Sequence, residues 1–72
     1  MKNARERLER VLRSVYDDDD FAIGTLACLK TDENCEEMLE VIRYADSVGD
    51  ELTHDDLVAL SIVIRKRSDS RQ

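Results

Sequence analysis

The stretch Leu57-Val58-Ala59-Leu60-Ser61-Ile62-Val63-Ile64 is the longest apolar run in the chain and decides how the rest must fold. Wound at about 100° per residue, it puts Leu57, Leu60 and Ile64 on one side of a helix, Val58 and Ile62 on a second, and Ala59 and Val63 on a third. Only Ser61 interrupts the ring. Eight residues rich in Val and Ile would also suit a buried strand, and the flanks choose between the two. Thr53 precedes the run as an N-cap, Asp56 stands three residues on where a capping box wants a carboxylate, and Leu52 and Leu57 hold the positions of a hydrophobic staple. Arg65, Lys66 and Arg67 follow, placed to meet the negative end of a helix dipole. The stretch therefore predicts a helix over 54–67.

Working toward the N-terminus, residues 33–48 predict another helix, with Cys35, Met38, Leu39, Ile42 and Ala45 on its main face, widened by Val41 and Val48. Glu36, Glu37, Glu40 and Arg43 look outward. Tyr44 lies off that stripe, which makes it a candidate contact residue. Gly49 supplies a C-cap, and Thr31 or Asp32 the N-cap. Before it, Asp17-Asp18-Asp19-Asp20 resembles a cation site at first sight. Neighbouring positions of a helix point apart, however, and a hard cation needs ligands that converge. The run reads better as a helix start, with Asp17 as N-cap, three carboxylates facing the positive dipole end, and Tyr16 and Phe21 as staple. That helix is expected over 18–30 and is apolar nearly all round. Gly24 inside it costs about 1 kcal/mol relative to Ala unless a neighbouring helix passes close by, and close packing is the expectation. The first helix, 3–16, is amphipathic: Ala4, Leu8, Val11, Leu12 and Val15 form its stripe, and Glu6–Arg10 and Glu9–Arg13 have the spacing of ion pairs.

Four helices joined by short connections predict an all-α, compact four-helix bundle, one domain over 1–72, with 68–72 as a frayed tail. The composition agrees: no Pro, two Gly and 39% charged residues, against 42% hydrophobic ones. Two helices apolar all round are expected to occupy the inside. A chain of 72 residues buries only about 60–65% of its unfolded surface, so part of Val58, Ala59, Ile62 and Val63 is expected to face a second chain.

The same residues narrow the chemistry. No Gly-rich phosphate loop, Gly-x-Ser-x-Gly or His-Glu-x-x-His occurs. His54 is the sole histidine; with an aspartate and one cysteine it would make a catalytic trio only if Cys28 or Cys35 came close to a helix start, which nothing in the spacing asks for, and the same three residues fall one short of the four ligands of a structural zinc. Both cysteines read as packed, reduced thiols. Gly49–Asp56 echoes the second half of an EF-hand loop, but the first ligand then falls on Ala45 and the usual Gly on Asp50, and starting at Asp46 instead puts Val48 third and Leu57 twelfth. Neither catalysis, a cofactor nor a metal is expected.

Net charge is −6, divided as +3 over residues 1–16, −12 over 17–56 and +3 over 57–72. Glu6 and Glu9 interrupt the arginines of the first helix, so no contiguous basic face forms and direct nucleic-acid binding is not expected. No apolar segment approaches the roughly 20 residues that span a bilayer, and Met-Lys-Asn-Ala-Arg-Glu-Arg is not followed by the apolar core of a signal peptide. A cytoplasmic protein is the expectation. Two functional classes follow: a helical interaction module that binds itself or another protein, candidate interface Val58, Ala59, Ile62, Val63 and Tyr44; or an acidic decoy that mimics nucleic acid toward a basic partner.

Overall fold

The computed structural model describes residues 3–70. Four α-helices occupy them: α1 Ala4–Tyr16, α2 Asp19–Cys28, α3 Asp32–Ser47 and α4 His54–Ser70. Among the described residues there is no strand. The all-α bundle expected from the sequence is the fold.

Each helix starts on a side-chain cap. Asn3 accepts from the Glu6 amide at 2.8 Å, Asp18 from the Phe21 amide at 3.0 Å, and Thr31 from the Asn34 amide at 3.1 Å. At α4 the capping box is reciprocal. The Asp56 amide donates to the Thr53 hydroxyl at 3.2 Å, and the Thr53 amide donates to the Asp56 carboxylate at 3.0 Å. An aspartate thus closes a box usually closed by Glu or Gln.

The acidic run divides one residue later than its composition suggests. Asp17 adopts a left-handed conformation, φ 48° and ψ 41°, and ends α1; Asp18 is the cap of α2. Short polar side chains tolerate that region best, and this Asp makes a two-residue reversal between α1 and α2 possible. Tyr16 and Phe21 consequently do not hold staple positions, although their rings meet edge to face at 5.4 Å.

α2 is shorter than the expected 18–30. It stops at Cys28 because Leu29 turns out of the helix, φ −89° and ψ 81°, to reach full burial. The residues after α3 form a Schellman motif: the Asp50 amide donates to the Ala45 carbonyl at 2.8 Å and the Gly49 amide to the Asp46 carbonyl at 3.2 Å, with Gly49 at φ 77°. α4 runs beyond residue 67 to Ser70, so residues 68–70, expected in the frayed tail, continue the helix; 71–72 lie outside the described residues.

α1 packs on α2 and α3, and α4 packs on the same two, which arranges the helices in a ring ordered α1, α2, α4, α3. A ring of four leaves every helix an outer face. The expectation that α2 and α4 lie inside is therefore overturned: both bury one side only. The core is built from Ala4, Leu8 and Leu12 of α1, Ala22 and Leu26 of α2, Leu29, Cys35, Met38 and Leu39 around α3, and Leu57 and Ile64 of α4. Val15 and Val48, expected on the inner stripes of α1 and α3, are exposed. Gly24 is not a point of close approach, since a Cβ placed there meets nothing within 4 Å.

Polar links between helices complete the assembly. Arg7 pairs with Glu36 at 2.7 Å, and Arg13 reaches both Glu9 and Asp19, so the basic first helix engages its acidic neighbours. Glu6 and Arg10, despite their spacing, form no ion pair among the described residues. These exposed pairs contribute little individually, about 0–1 kcal/mol.

Candidate functional site: the outer face of α4

Burial on α4 follows position more closely than residue type. Leu57, Ser61 and Ile64 are buried and Leu60 is half-buried, whereas Val58, Ala59, Ile62 and Val63 are exposed. Ser61, the polar interruption in the run, is thus inside, 2% exposed, and Ile62 beside it is 44% exposed. The phase of the helix explains the exchange. Ser61 falls between Leu57 and Ile64 on the inner stripe, and its hydroxyl donates to the Val58 carbonyl one turn back at 2.8 Å, leaving no buried donor unmet.

The phase is fixed from outside the helix. Phe21 stacks on His54, the first residue of α4, with ring centroids 4.3 Å apart and planes 27° apart; Tyr16 lies 5.1 Å from the same imidazole. The Tyr16 hydroxyl also donates to the Leu52 carbonyl at 2.8 Å, just ahead of the Thr53 cap. The last residue of α1 and the first turn of α2 therefore grip the start of α4. With its start held and Leu57 fully buried, the Val58 side can only face outward.

The resulting surface carries Val58 (44% exposed), Ile62 (44%) and Val63 (50%), with Ala59 among them. These four candidate residues share one helix face. Tyr44, the fifth, is 69% exposed but stands on α3. Below the apolar patch lie Asp55 and Asp56 in the first turn of α4, and above it Arg65, Lys66 and Arg67. The face is acidic at one end, apolar in the middle and basic at the other.

A second surface feature escaped the sequence reading. A groove of about 630 Å³ runs between α1, α3 and the loop before α4, floored by Val11, Val15, Leu39 and Ile42 and edged by Asp46, Asp50 and Glu51. Val15, 63% exposed, is its most accessible apolar member. Its only sequence signal was position, at the end of the α1 stripe.

The groups weighed for chemistry lie apart in function. His54 is engaged by Phe21 and Tyr16. Cys35 is buried and its thiol contacts the Leu29 carbonyl at 3.6 Å; Cys28 is half-buried, and both are free. Burial pushes the Cys35 thiol above its ordinary pKa of 9.0, with Asp32 adding to the rise and Arg5 opposing it. A thiol held in its neutral form is a poor nucleophile and metal ligand. Among the described residues no group of three or more His, Cys, Asp or Glu side chains is gathered to hold a metal ion, and no helix is long and apolar enough to cross a membrane.

Comparison with protein-family models, with curated proteins and with solved structures finds no match to this chain.

Proposed function

We propose that this protein is a small acidic interaction module whose contact surface is the outer face of α4, and that it acts by binding protein, itself or another, without a catalytic step. The observation that carries this reading is the exposure of Val58, Ile62 and Val63 side by side in the middle of a helix whose start is held by a capping box and an aromatic contact. Single exposed apolar residues are ordinary on a monomer; a contiguous apolar patch with a charged rim is the usual mark of a contact surface. Interior seats were at hand in the sequence, since exchanging Ser61 with a neighbouring aliphatic would have buried more apolar area.

The acidic-decoy reading has weaker support. Glu36 and Asp19 are engaged by Arg7 and Arg13 within the molecule, which reduces the free acidic surface a basic partner would meet. Ile62→Asp is the test. Because Ile62 is exposed, the variant is expected to keep its helical circular-dichroism spectrum and lose association, whether read as self-association by light scattering or as partner capture from the native cell. Capture and mass identical to wild type would overturn the reading; capture that survives Ile62→Asp but is lost in salt would favour the decoy.

A further inference from the structure

The outer face of α4 is self-complementary, and we infer that its occupant is the same face of a second copy, packed antiparallel about a two-fold axis that passes between Leu60 and Ser61. This rests on the reading of α4 as the contact surface and adds the partner and the register.

The argument is one of spacing. Asp55, Ala59, Ile62 and Lys66 follow each other at four, three and four residues, the alternation that keeps side chains on one seam of a helix pair. The centre of the apolar run lies between Leu60 and Ser61. Ala59 and Ile62 are equidistant from that centre, and so are Asp55 and Lys66. Two copies related by a two-fold axis there place Ala59 of each beside Ile62 of the other, and Asp55 of each beside Lys66 of the other. A small residue opposite a large one lets the layers fit at close helix separation. Val58 and Val63, also equidistant from the axis, flank the seam on its two sides.

Charge selects this arrangement over the alternatives. Asp55 and Lys66 are both exposed, and neither belongs to an ion pair of the chain among the described residues. Parallel pairing would set Asp55 against Asp55 and Lys66 against Lys66; antiparallel pairing sets opposite charges together at both ends. The macrodipoles of the two helices are likewise opposed only when antiparallel. A seam of about three turns is small for a protein interface, so the dimer is expected to dissociate on dilution rather than to be obligate.

The test is a charge exchange on the full chain, read by sedimentation velocity over a dilution series with circular dichroism as the folding control. Asp55→Lys and Lys66→Asp alone each place like charges at both ends of the seam and should weaken dimerisation at least about tenfold. An equimolar mixture of the two variants should recover the dimer, as should the double variant Asp55→Lys/Lys66→Asp. Should the change at the helix start unfold the protein, a Cys28→Ser background carrying Ala59→Cys, mixed with one carrying Ile62→Cys, gives a second readout. On mild copper-catalysed oxidation, antiparallel pairing yields mainly the mixed disulfide, and parallel pairing yields the two symmetric ones. A wild-type dimer whose charge variants are not rescued by mixing, or symmetric crosslinks, would overturn the register. A monomer at all concentrations whose capture of another protein is lost in Ile62→Asp would overturn self-pairing and leave the α4 contact reading standing; a monomer with capture unaffected would overturn both.

Discussion

The Tyr16 hydroxyl, on the last residue of α1, donates at 2.8 Å to the carbonyl of Leu52, the residue that leads into the cap of α4. The bond spans 36 residues of sequence and joins the first helix to the start of the last, two helices that are not neighbours in the ring. Together with the contact of Tyr16 on His54, it orients the helix that carries the candidate site.

Tyr16→Phe keeps the ring and removes that bond. The expected cost is about 1 kcal/mol, the usual net worth of one intramolecular hydrogen bond, seen as a lower urea midpoint at unchanged slope. Because the start of α4 is loosened, amide exchange at residues 54–57 should rise more than elsewhere. A midpoint equal to wild type would mean that the aromatic stacking alone places α4.

Arg5 holds a second junction. From the first turn of α1 its guanidinium donates to the Leu26 and Leu29 carbonyls at 3.2 and 3.3 Å, satisfying the end of α2, which has no basic residue in its own last turn. Its amide donates in turn to the Asp32 carboxylate at the start of α3, at 3.3 Å. One residue therefore ties the ends of three helices. Arg5→Ala should lower stability by about 1.5–3 kcal/mol, the range for hydrogen bonds to a charged group. Both bonds leave one nitrogen, Nη1, and Arg5→Lys should recover only part of the loss because the shorter lysine side chain holds its ammonium short of that position. Equal stability of the Ala and Lys variants would refute the bridging role.

How far the sequence foretold this structure differs from residue to residue. The caps of α3 and α4 were legible because they are local, Thr53 with Asp56 and Thr31 with Asn34 involving side chain and amide three residues apart, whereas four identical aspartates gave no local signal to separate Asp18 from Asp17 at the start of α2. The C-cap at Gly49 was legible for the same reason. Which side of α2 turns inward was not, because an all-round apolar helix has no preferred side until its neighbours are placed. The burial of Ser61 was not legible either, since a hydroxyl takes an inner position on α4 only because the phase set by Leu57 and Ile64 carries it there. The exposure of Val58, Ala59, Ile62 and Val63 was legible as a surplus of apolar area over what a short chain can enclose. Val15 and its groove were not, since the groove is made only where α1, α3 and the loop before α4 come together.

The two glycines are predicted to respond in opposite directions to alanine. Gly24 sits in α2 with open space around it and an ordinary helical backbone, so Gly24→Ala should raise stability by about 0.5–1 kcal/mol through helix propensity. Gly49 also has open space but holds φ 77°, where a Cβ strains against the backbone. Gly49→Ala should lower stability by roughly 1 kcal/mol. Thermal melts of the two variants check both signs, and a destabilised Gly24→Ala would indicate a neighbour that the present packing does not contain.

Alkaline pH should weaken the fold through two groups whose titration is displaced in the same direction. Burial raises the Cys35 thiol above 9.0, with Asp32 adding to the rise and Arg5 opposing it. Burial likewise raises the Tyr16 phenol above 10.0, with Asp56 contributing. In both cases the folded state holds its proton more tightly than the unfolded chain. The stability they confer is therefore fully present below the unfolded pKa, and it is lost as pH rises through the folded value. The urea midpoint should accordingly be insensitive to these groups near neutrality and fall from about pH 9 upward. Cys35→Ala should flatten the lower part of that fall and Tyr16→Phe the upper part, each at the expense of stability at neutral pH. A midpoint that climbs between pH 9 and 11, or a fall unaltered by either substitution, would show that ionisation elsewhere governs the alkaline limb.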